Sequence, residues 1–350
     1  ARLVLLNALD ARQRGARVLT RTACVAARRE GGLWSIDMQD GRTGAVTKVR
    51  ARALINAAGP WVNDIVSRVA GQNSTRNVRL VKGSHIVVPK FWEGRQAYLI
   101  QNNDKRVIFV NPYENDLALI GTTDIPYEGR PEEVVAEASE VDYLIKVVNR
   151  YFKRQLTPQD VVYSFSGVRP LYDDNADNPS AVTRDYIFEL DASNGNAPLL
   201  SVFGGKITTF RKLSEHALEK IQPFFPTMKK AWTAKIPLPG GDLPNADFEQ
   251  FLSDLHVEFP WLSPSLVKHY ARSYGTRARQ LLAGAQSEAD LGRRFGPDLY
   301  EREAKFLVET EWAGTSADIL ERRTKHGLHI SAAERKAFED WFGNIMATAD

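Results

Sequence analysis

The stretch LLSVFGGKITTFRKLSEHALEKI, from Leu199 to Ile221, combines a glycine turn, a lysine and two threonines at the start of a helical pattern. An apolar run before Gly204 and Gly205 predicts a strand, and apolar residues at helical spacing after Lys206 predict a helix. Glycines let a backbone approach a ligand, and a helix start offers N–H groups to an anionic or electron-accepting group. The pattern alone is equally compatible with a plain strand–helix turn.

Three other side chains lie in motifs suited to acid–base or anion chemistry. Arg169 lies in SGVRPL, where a glycine and a proline restrict the backbone, and Arg184 lies in TRDY. A rigidly placed guanidinium suits a phosphate or a developing carbonyl oxygen, although a lone arginine more often forms a surface salt bridge. His85, in GSHIVV, has the side chain of a base that works near neutral pH. A lone histidine in a strand is more often a core residue.

The elements that would position these residues begin with short strands. Residues 16–59 alternate strand patterns with turns at Gly31-Gly32 and Asp40-Gly41, which predicts a small β-meander. Ala53 to Gly59 has the pattern of a buried strand that ends in Gly-Pro-Trp, and a helix is predicted over 62–69. A strand that ends in small residues leaves room for a ligand at its carboxyl end.

A second set of strands follows. Four strand patterns over 78–124 predict an antiparallel sheet, with Asp124 in a turn. The spacing of apolar residues predicts a helix over 132–156.

The character of the chain changes near Pro237, where PLPGGDLP reads as a linker. The pattern after it is helical, with Ser263-Pro264 and Ser331 as predicted helix starts. His326 and His329 lie close together but lack acidic or cysteine partners at ligand spacing, so we expect no metal site there.

The overall composition of the chain of 350 residues excludes some classes of protein. A net charge of +3 gives no case for nucleic-acid binding but is compatible with anionic substrates or an anionic membrane surface. Cys24 is the single cysteine, so no internal disulfide can form and a reducing compartment fits. No apolar run is long enough to span a membrane.

The motifs NAAGPW, VKGSHIVV, IGTTD, SGVRPL, TRDY and FGGKITT resemble, in order and spacing, those of FAD-dependent glycerol-3-phosphate dehydrogenases. The resemblance covers essentially the whole chain. It implies an α/β fold: part of a two-dinucleotide-binding domain, an antiparallel substrate-binding sheet and an α-helical C-terminal domain. The expected boundaries are 1–77 and 198–236 for the FAD-binding domain, 78–197 for the substrate domain and 237–350 for the helical domain. The family's GxGxxG loop, which binds the FAD pyrophosphate, is absent, so the chain reads as a fragment.

The resemblance also implies roles for individual residues. FAD would contact the strand near Val25 at its adenine, and otherwise the residues of the two glycine motifs: Ala57, Ala58, Gly59, Trp61, Gly204, Gly205, Lys206, Thr208 and Thr209. The implied reaction oxidises sn-glycerol 3-phosphate to dihydroxyacetone phosphate. His85 would be the base, while Arg169, Lys206, Arg184 and Thr122 would bind the substrate, Arg169 and Lys206 also acting in catalysis. The hydroxyl groups of Thr122 and Thr123 would both lie near the cavity that His85 faces.

Several alternatives stay open at this stage. The electron acceptor would be quinone in a respiratory dehydrogenase or oxygen in a glycerol-3-phosphate oxidase. Amine oxidases share the fold, but cations suited to phosphate argue against an amino-acid substrate. From another class, the chain would be a non-catalytic fragment unable to hold FAD. The resemblance is compatible with a cytoplasmic location and with a homodimer. It is also compatible with peripheral contact with the inner membrane through the basic helix at 132–156. The simpler interpretation of that helix is that its basic face is solvated.

Overall fold

In the computed structural model, which describes residues 1–173, 185–192 and 195–348, helices and strands fall into two units. The sheet unit is Arg21–Ala234, and the helical unit combines Ala1–Thr20 with Lys235–Asp350. Arg184 lies outside the described residues.

The strands that the structure describes all belong to the sheet unit. In chain order they are β1 Thr22–Glu30, β2 Leu33–Asp40, β3 Val46–Ala51, β4 Leu54–Asn56, β5 Val78–Pro89, β6 Tyr98–Gln101, β7 Val107–Tyr113, β8 Leu117–Gly121, β9 Ile125–Pro126, β10 Tyr163–Tyr172, β11 Tyr186–Asp191 and β12 Leu199–Gly204. β1, β2 and β3 form an antiparallel sheet in that order, which confirms the predicted meander.

The α-helices are shared between the units. They are α1 Arg2–Gln13, α2 Val62–Asp64, α3 Ala138–Tyr151, α4 Phe210–Ile221, α5 Phe248–Glu258, α6 Pro264–Tyr274, α7 Ala278–Leu282, α8 Glu301–Glu311 and α9 Ala332–Thr348. The described residues include two π-helical segments, one continuing α2 over Ile65–Val69 and one over Asp318–Arg323. No helix among the described residues is both long and apolar enough to cross a membrane.

The main sheet is antiparallel, with the strand order β10-β5-β8-β7-β6, and β9 pairs with β5. α3 covers one of its faces because alternate residues of β5 and β8, such as Ile86 and Ile120, pack against Leu144 and Val148. The helix begins at Ala138 rather than near 132, since Glu137 and Glu140 form a capping box.

A smaller sheet has the order β11-β12-β4, in which β12 runs parallel to β4 and antiparallel to β11. β12 is buried, with Leu200 and Phe203 inaccessible to solvent. The expected buried strand over Ala53 to Gly59 is corrected to three residues, because β4 pairs only with β12 among the described strands and Ile55 is 43% exposed.

The helical unit has its own core, to which α5, α6, α7, α8 and α9 contribute. Ser263 caps α6 by accepting a hydrogen bond from the amide of Leu266, and Ser331 caps α9 in the same way from Glu334, which confirms both predicted helix starts.

The position of α1 differs from the expected domain 1–77. Its Arg2 forms an ion pair with Glu311 of α8, and its Arg12 stacks over the ring of Trp312, 4.6 Å from the ring centroid. These contacts place residues 1–20 with the helical unit.

Candidate functional site

His85 lies in β5 on the face of the main sheet opposite α3. Its ring stacks on Phe165 of β10, with centroids 5.1 Å apart and an interplanar angle of 6°. On the other side of β5, His85 pairs with Gly121 of β8. A Cβ on Gly121 would come within 2.7 Å of the imidazole Nε2. The imidazole is therefore held between an aromatic ring and a position where only glycine leaves room for it.

Arg169 shares this face of the sheet. Arg169 lies in β10, opposite Val81 of β5. Its guanidinium crosses β5 above Gly83, where a Cβ would lie 2.6 Å from both terminal nitrogens. Nη1 donates to Asp124 Oδ1 at 2.6 Å, and Nη2 donates to Thr122 Oγ1 at 3.1 Å. The structure thus brings together the predicted residues His85, Arg169 and Thr122.

The electrostatics of the site favour a neutral imidazole at His85. Burial, and then the positive charge of Arg169, lower the pKa of His85 below its usual value of 6.5. Its Nδ1 is buried and has no hydrogen-bond partner among the described residues. A neutral imidazole at pH 7 carries a lone pair on one nitrogen and can accept a proton.

β10 connects this face with two glycine turns. A Cβ on Gly59, in the turn after β4, would lie 3.8 Å from Pro170, which follows Arg169. A Cβ on Gly204, in the turn after β12, would lie 3.1 Å from the amide nitrogen of Tyr172. Because β4 and β12 are parallel, both turns lie at the carboxyl ends of neighbouring strands, where α/β sheets bind ligands.

The turn after β12 has the predicted strand–glycine–helix form. Gly204 and Gly205 have φ angles of +74° and +100°, which L side chains rarely adopt. Lys206 is exposed, and the hydroxyl of Thr209 donates to its carbonyl oxygen at 2.8 Å before α4 begins. Thr208 is exposed at the same helix start, so its hydroxyl and the Lys206 ammonium face solvent.

Comparisons with known proteins agree with this arrangement. A family model described as FAD dependent oxidoreductase matches residues 1–211, and one described as the C-terminal domain of alpha-glycerophosphate oxidase matches residues 231–348. A D-erythritol 1-phosphate dehydrogenase of Brucella abortus (strain 2308) is 58% identical over 349 residues, covering 100% of this chain and 69% of that protein. A glycerol-3-phosphate dehydrogenase of Pseudomonas aeruginosa is 50% identical over 335 residues, covering 96% and 65%. The chain belongs to the FAD-dependent glycerol-3-phosphate dehydrogenase family.

FAD is the cofactor of this family, and its members are oxidoreductases. The fold agrees: the structure of a glycerol-3-phosphate dehydrogenase from Bacillus halodurans complexed with FAD matches with a TM-score of 0.79 at 24% identity, covering 99% of this chain and 72% of that one. The chain spans 69% of the length of the Brucella abortus relative and 65% of that of the Pseudomonas aeruginosa relative.

The second predicted cofactor motif, NAAGPW, is partly open to solvent. Ala57 is exposed, Ala58 and Gly59 are half-buried, and Gly59 has a φ of +56°. Trp61 is 44% exposed, and its indole N–H donates to Glu132 Oε2 at 3.2 Å. Contact of these residues with FAD remains a prediction.

Thr123 does not join the site, contrary to the expectation that its hydroxyl lies near the cavity. It is buried on the α3 side of the sheet, where Oγ1 donates to Glu140 Oε1 at 2.9 Å. Glu140 also accepts from Ser84 Oγ at 2.7 Å and pairs with Lys82 Nζ at 2.7 Å. We call Lys82, Ser84, Thr123 and Glu140 the Glu140 cluster; it lies behind the strand that carries His85.

Two of the predicted binding residues, Val25 and Arg184, are not shown beside His85 and Arg169. Val25 lies in the meander, at a bulge between Cys24 and Ala26, and is 39% exposed. Arg184 lies outside the described residues. Their roles in binding FAD and substrate remain predictions.

Sequence reasoning missed the partner of Arg169. Asp124 was expected to be an ordinary turn residue, but it orients the guanidinium. A signal was present in the glycines: Gly83, two residues before His85, and Gly121, before Thr122, are the positions where a Cβ would collide with Arg169 and His85. Glycines inside strands indicate close approach by another group.

Proposed function

We propose that the chain carries the substrate side of an enzyme that oxidises the secondary alcohol of a polyol phosphate, sn-glycerol 3-phosphate being converted to dihydroxyacetone phosphate with FAD. The observation that supports this most is the placement of His85 and Arg169 on one face of a sheet whose strand β10 leads to both glycine turns. The reaction requires a base for the hydroxyl proton and a cation for the oxygen that becomes the carbonyl.

The glycine turns fit a flavin cofactor. At Gly204 a Cβ would meet the carbonyl oxygen of Asp185 at 2.8 Å, so only glycine allows this tight turn, which leads directly to the exposed helix start at Lys206. Aromatic side chains on the His85 face, Phe165 and Phe109, are 38% and 45% exposed and suit a planar ring. Residues of both turns, Ala57 to Trp61 and Gly204 to Thr209, would hold FAD. When bound, FAD accepts the two electrons and the hydrogen that leave the alcohol carbon.

His85 would take the proton of the substrate hydroxyl. Its lowered pKa keeps the imidazole neutral at pH 7, and the stack on Phe165 holds the ring plane while the proton is transferred. As the proton leaves, negative charge develops on the oxygen that becomes the carbonyl. Arg169, oriented by Asp124, supplies the nearby positive charge.

The phosphate needs further cations because Asp124 already offsets the charge of Arg169. Lys206 is exposed at a helix start, where an ammonium and free N–H groups act together on an anion. Arg184 is proposed as a second phosphate ligand from its place in TRDY, and Thr122 as a hydroxyl contact beside Arg169.

A second substrate of the same class is favoured by one comparison. The relative named D-erythritol 1-phosphate dehydrogenase is 58% identical, against 50% for the glycerol-3-phosphate dehydrogenase of Pseudomonas aeruginosa. A tetritol phosphate presents the same phosphate and a secondary alcohol, with one more hydroxylated carbon. The base and cations described above would serve either substrate.

The test is the absorption spectrum of the purified chain with added FAD, before and after sn-glycerol 3-phosphate or D-erythritol 1-phosphate. Bleaching of a bound flavin supports the proposal, and the faster substrate identifies the natural one. A bound flavin that neither substrate bleaches overturns it. No flavin uptake favours the alternative that this chain is a non-catalytic piece. Hydrogen peroxide formation would indicate an oxidase, and electron transfer to a soluble quinone, the acceptor we propose, a dehydrogenase at the inner membrane.

The role of Arg169 is tested by Arg169→Met in flavin-loaded protein. Loss of this cation should lower kcat/KM by roughly 10²-fold, the effect of removing one donor to a developing oxyanion. Arg68→Met is the matched control, because Arg68 is exposed and pairs with Asp64, four residues earlier on the surface. Equal kinetics for the two variants would remove Arg169 from the site.

A further inference from the structure

The helical unit contains a second cluster of chemically active side chains, which the proposed function does not use. His269 of α6 contacts Glu303 of α8 with 2.6 Å between Nε2 and Oε1. His326, in the turn after the π-helical segment, contacts the other oxygen of Glu303 at 3.1 Å from Nε2. Glu303 is inaccessible to solvent and His326 is 6% exposed. We call His269, Glu303 and His326 the Glu303 cluster.

We propose that the Glu303 cluster binds a divalent transition-metal ion, with Zn²⁺ as the preferred ion. Two imidazole nitrogens and a carboxylate oxygen are one of the common protein ligand sets for Zn²⁺. Each residue offers one ligand atom, and these atoms all lie within 4.8 Å of one another. The set has too few oxygens for Ca²⁺ or Mg²⁺, which favour oxygen ligands.

The geometry requires only a small adjustment. Zn–N distances are about 2.0 Å, so ligand atoms around a tetrahedral ion lie about 3.3 Å apart. The two contacts to Glu303, 2.6 and 3.1 Å, are those of hydrogen bonds, and both imidazoles already point Nε2 at the carboxylate. A retreat of the carboxylate by about 1 Å or less would open a place for the ion, with the imidazole protons moved to Nδ1.

Two features support the ligand arrangement. The hydroxyl of Tyr274 donates to Glu303 Oε1 at 2.6 Å, which orients the carboxylate as outer hydrogen bonds do at metal sites. The two histidine rings lie 4.5 Å apart between centroids, so they approach the carboxylate side by side. The side chain of His269 is 15% exposed, which gives the ion a route from solvent to an otherwise buried site.

The three residues of the Glu303 cluster are far apart along the chain, which explains why the sequence did not indicate a metal site. The ligands come from three separate segments, so no short motif is formed, and His326 was expected to lack an acidic partner. The helical core supplies that partner: Glu303 lies on the inner side of α8, beside buried Ala304 and Leu307.

The test is isothermal titration of Zn²⁺ into the full chain after treatment with a chelator. We expect one equivalent to bind to wild type, and His269→Ala and His326→Ala each to weaken binding by at least about 10-fold, the lower range for altered metal sites. His256→Ala is the matched control, because His256 is exposed at the last turn of α5. Circular dichroism confirms that each variant is folded.

Co²⁺ provides a second, spectroscopic measurement. Tetrahedral coordination by two imidazoles, a carboxylate and a water molecule should give visible absorption that both histidine variants lose. Absence of stoichiometric Zn²⁺ binding to wild type overturns the proposal and leaves the cluster as a hydrogen-bond network. Equal binding by wild type, His269→Ala and His326→Ala also overturns it, since the ion would then occupy other surface groups.

Discussion

Glu140 in the sheet unit and Glu303 in the helical unit are both buried carboxylates on helices, and each accepts hydrogen bonds from at least three groups. Glu140 receives an ammonium from Lys82 and hydroxyl groups from Ser84 and Thr123. Glu303 receives two imidazoles and the hydroxyl of Tyr274. The number of partners is similar, and their chemistry differs.

The difference determines what each cluster can do. An ammonium has three donors and no lone pair, so Lys82 can only neutralise Glu140 and hold it in place. An imidazole can exchange its N–H for a lone pair, so the partners of Glu303 can become metal ligands. The Glu140 cluster supports the strand that carries His85, whereas the Glu303 cluster is proposed to bind a metal ion from the solvent.

Removal of the ammonium should have the largest effect. Lys82→Met leaves Glu140 buried without its counter-ion, and breaking a buried pair in this way costs roughly 3–5 kcal/mol. Urea unfolding measures the loss. Lys48→Met is the control: Lys48 is 67% exposed and pairs with Asp37 at the surface, where we expect less than about 1 kcal/mol. Equal losses in the two variants would contradict the assignment of Lys82 as the counter-ion.

Zinc should stabilise one unit and not the other. At a free Zn²⁺ concentration of 100 times the dissociation constant, binding contributes about 2.7 kcal/mol to the folded form. Hydrogen exchange of the amides of α6 and α8 should slow accordingly, by up to about 100-fold. The amides of β5 and α3, around Lys82 and Glu140, should be unchanged. Uniform slowing in both units would contradict a local site in the helical unit.

Single hydroxyl deletions should cost similar amounts in the two clusters. Ser84→Ala removes a donor to Glu140, and Tyr274→Phe removes a donor to Glu303. Each should lower the free energy of unfolding by about 1.5 kcal/mol, the lower end of the range for a hydrogen bond to a charged group. Urea unfolding of both variants checks this. A much larger loss for Tyr274→Phe would show that the imidazoles alone cannot hold the buried carboxylate.

The smallest effect is expected from pH on the Glu140 cluster. Burial alone would raise the pKa of Glu140, but the hydrogen bonds, chiefly from Lys82, outweigh it and hold the pKa below the usual 4.5. Burial would lower the pKa of Lys82, but its bonds to Glu140 and Glu137 raise it above 10.5. The contribution of Glu140 to the free energy of unfolding is thus lost only as pH falls below 4.5. The contribution of Lys82 is lost only as pH rises above 10.5.

The measurement compares wild type with the double variant Lys82→Met/Glu140→Gln between pH 5 and 10. The difference in free energy of unfolding should stay constant across that range, because neither group titrates there. A difference that changes near neutral pH would mean that a group outside the pair carries the effect.

The sequence predicts what depends on local pattern. The strand patterns over 78–124 predicted four strands of the main sheet, β5 to β8, although not β9 or β10. Ser263 and Ser331 predicted helix starts, and the glycines predicted the turn at Gly204-Gly205. Each of these features is determined by residues a few positions apart, so spacing alone reveals it.

The buried polar contacts could not be predicted in the same way. Glu140 lies 56 positions from Ser84, and Glu303 lies 34 from His269. The sequence around a helical glutamate does not show whether the side chain is buried or exposed. Only the packing of the helix against its neighbours determines that. Asp124 was missed for a related reason: its partner Arg169 is 45 positions away.

The packing of α1 affects the order in which the chain can fold. α1 is synthesised before the sheet unit, whereas its partners Glu311 and Trp312 are synthesised after it. The helical unit therefore cannot be completed until the whole sheet unit has been made, and closing it brings together segments separated by Arg21–Ala234. The contacts of α1 with Glu311 and Trp312 therefore form only after the sheet unit and most of the helical unit have been synthesised.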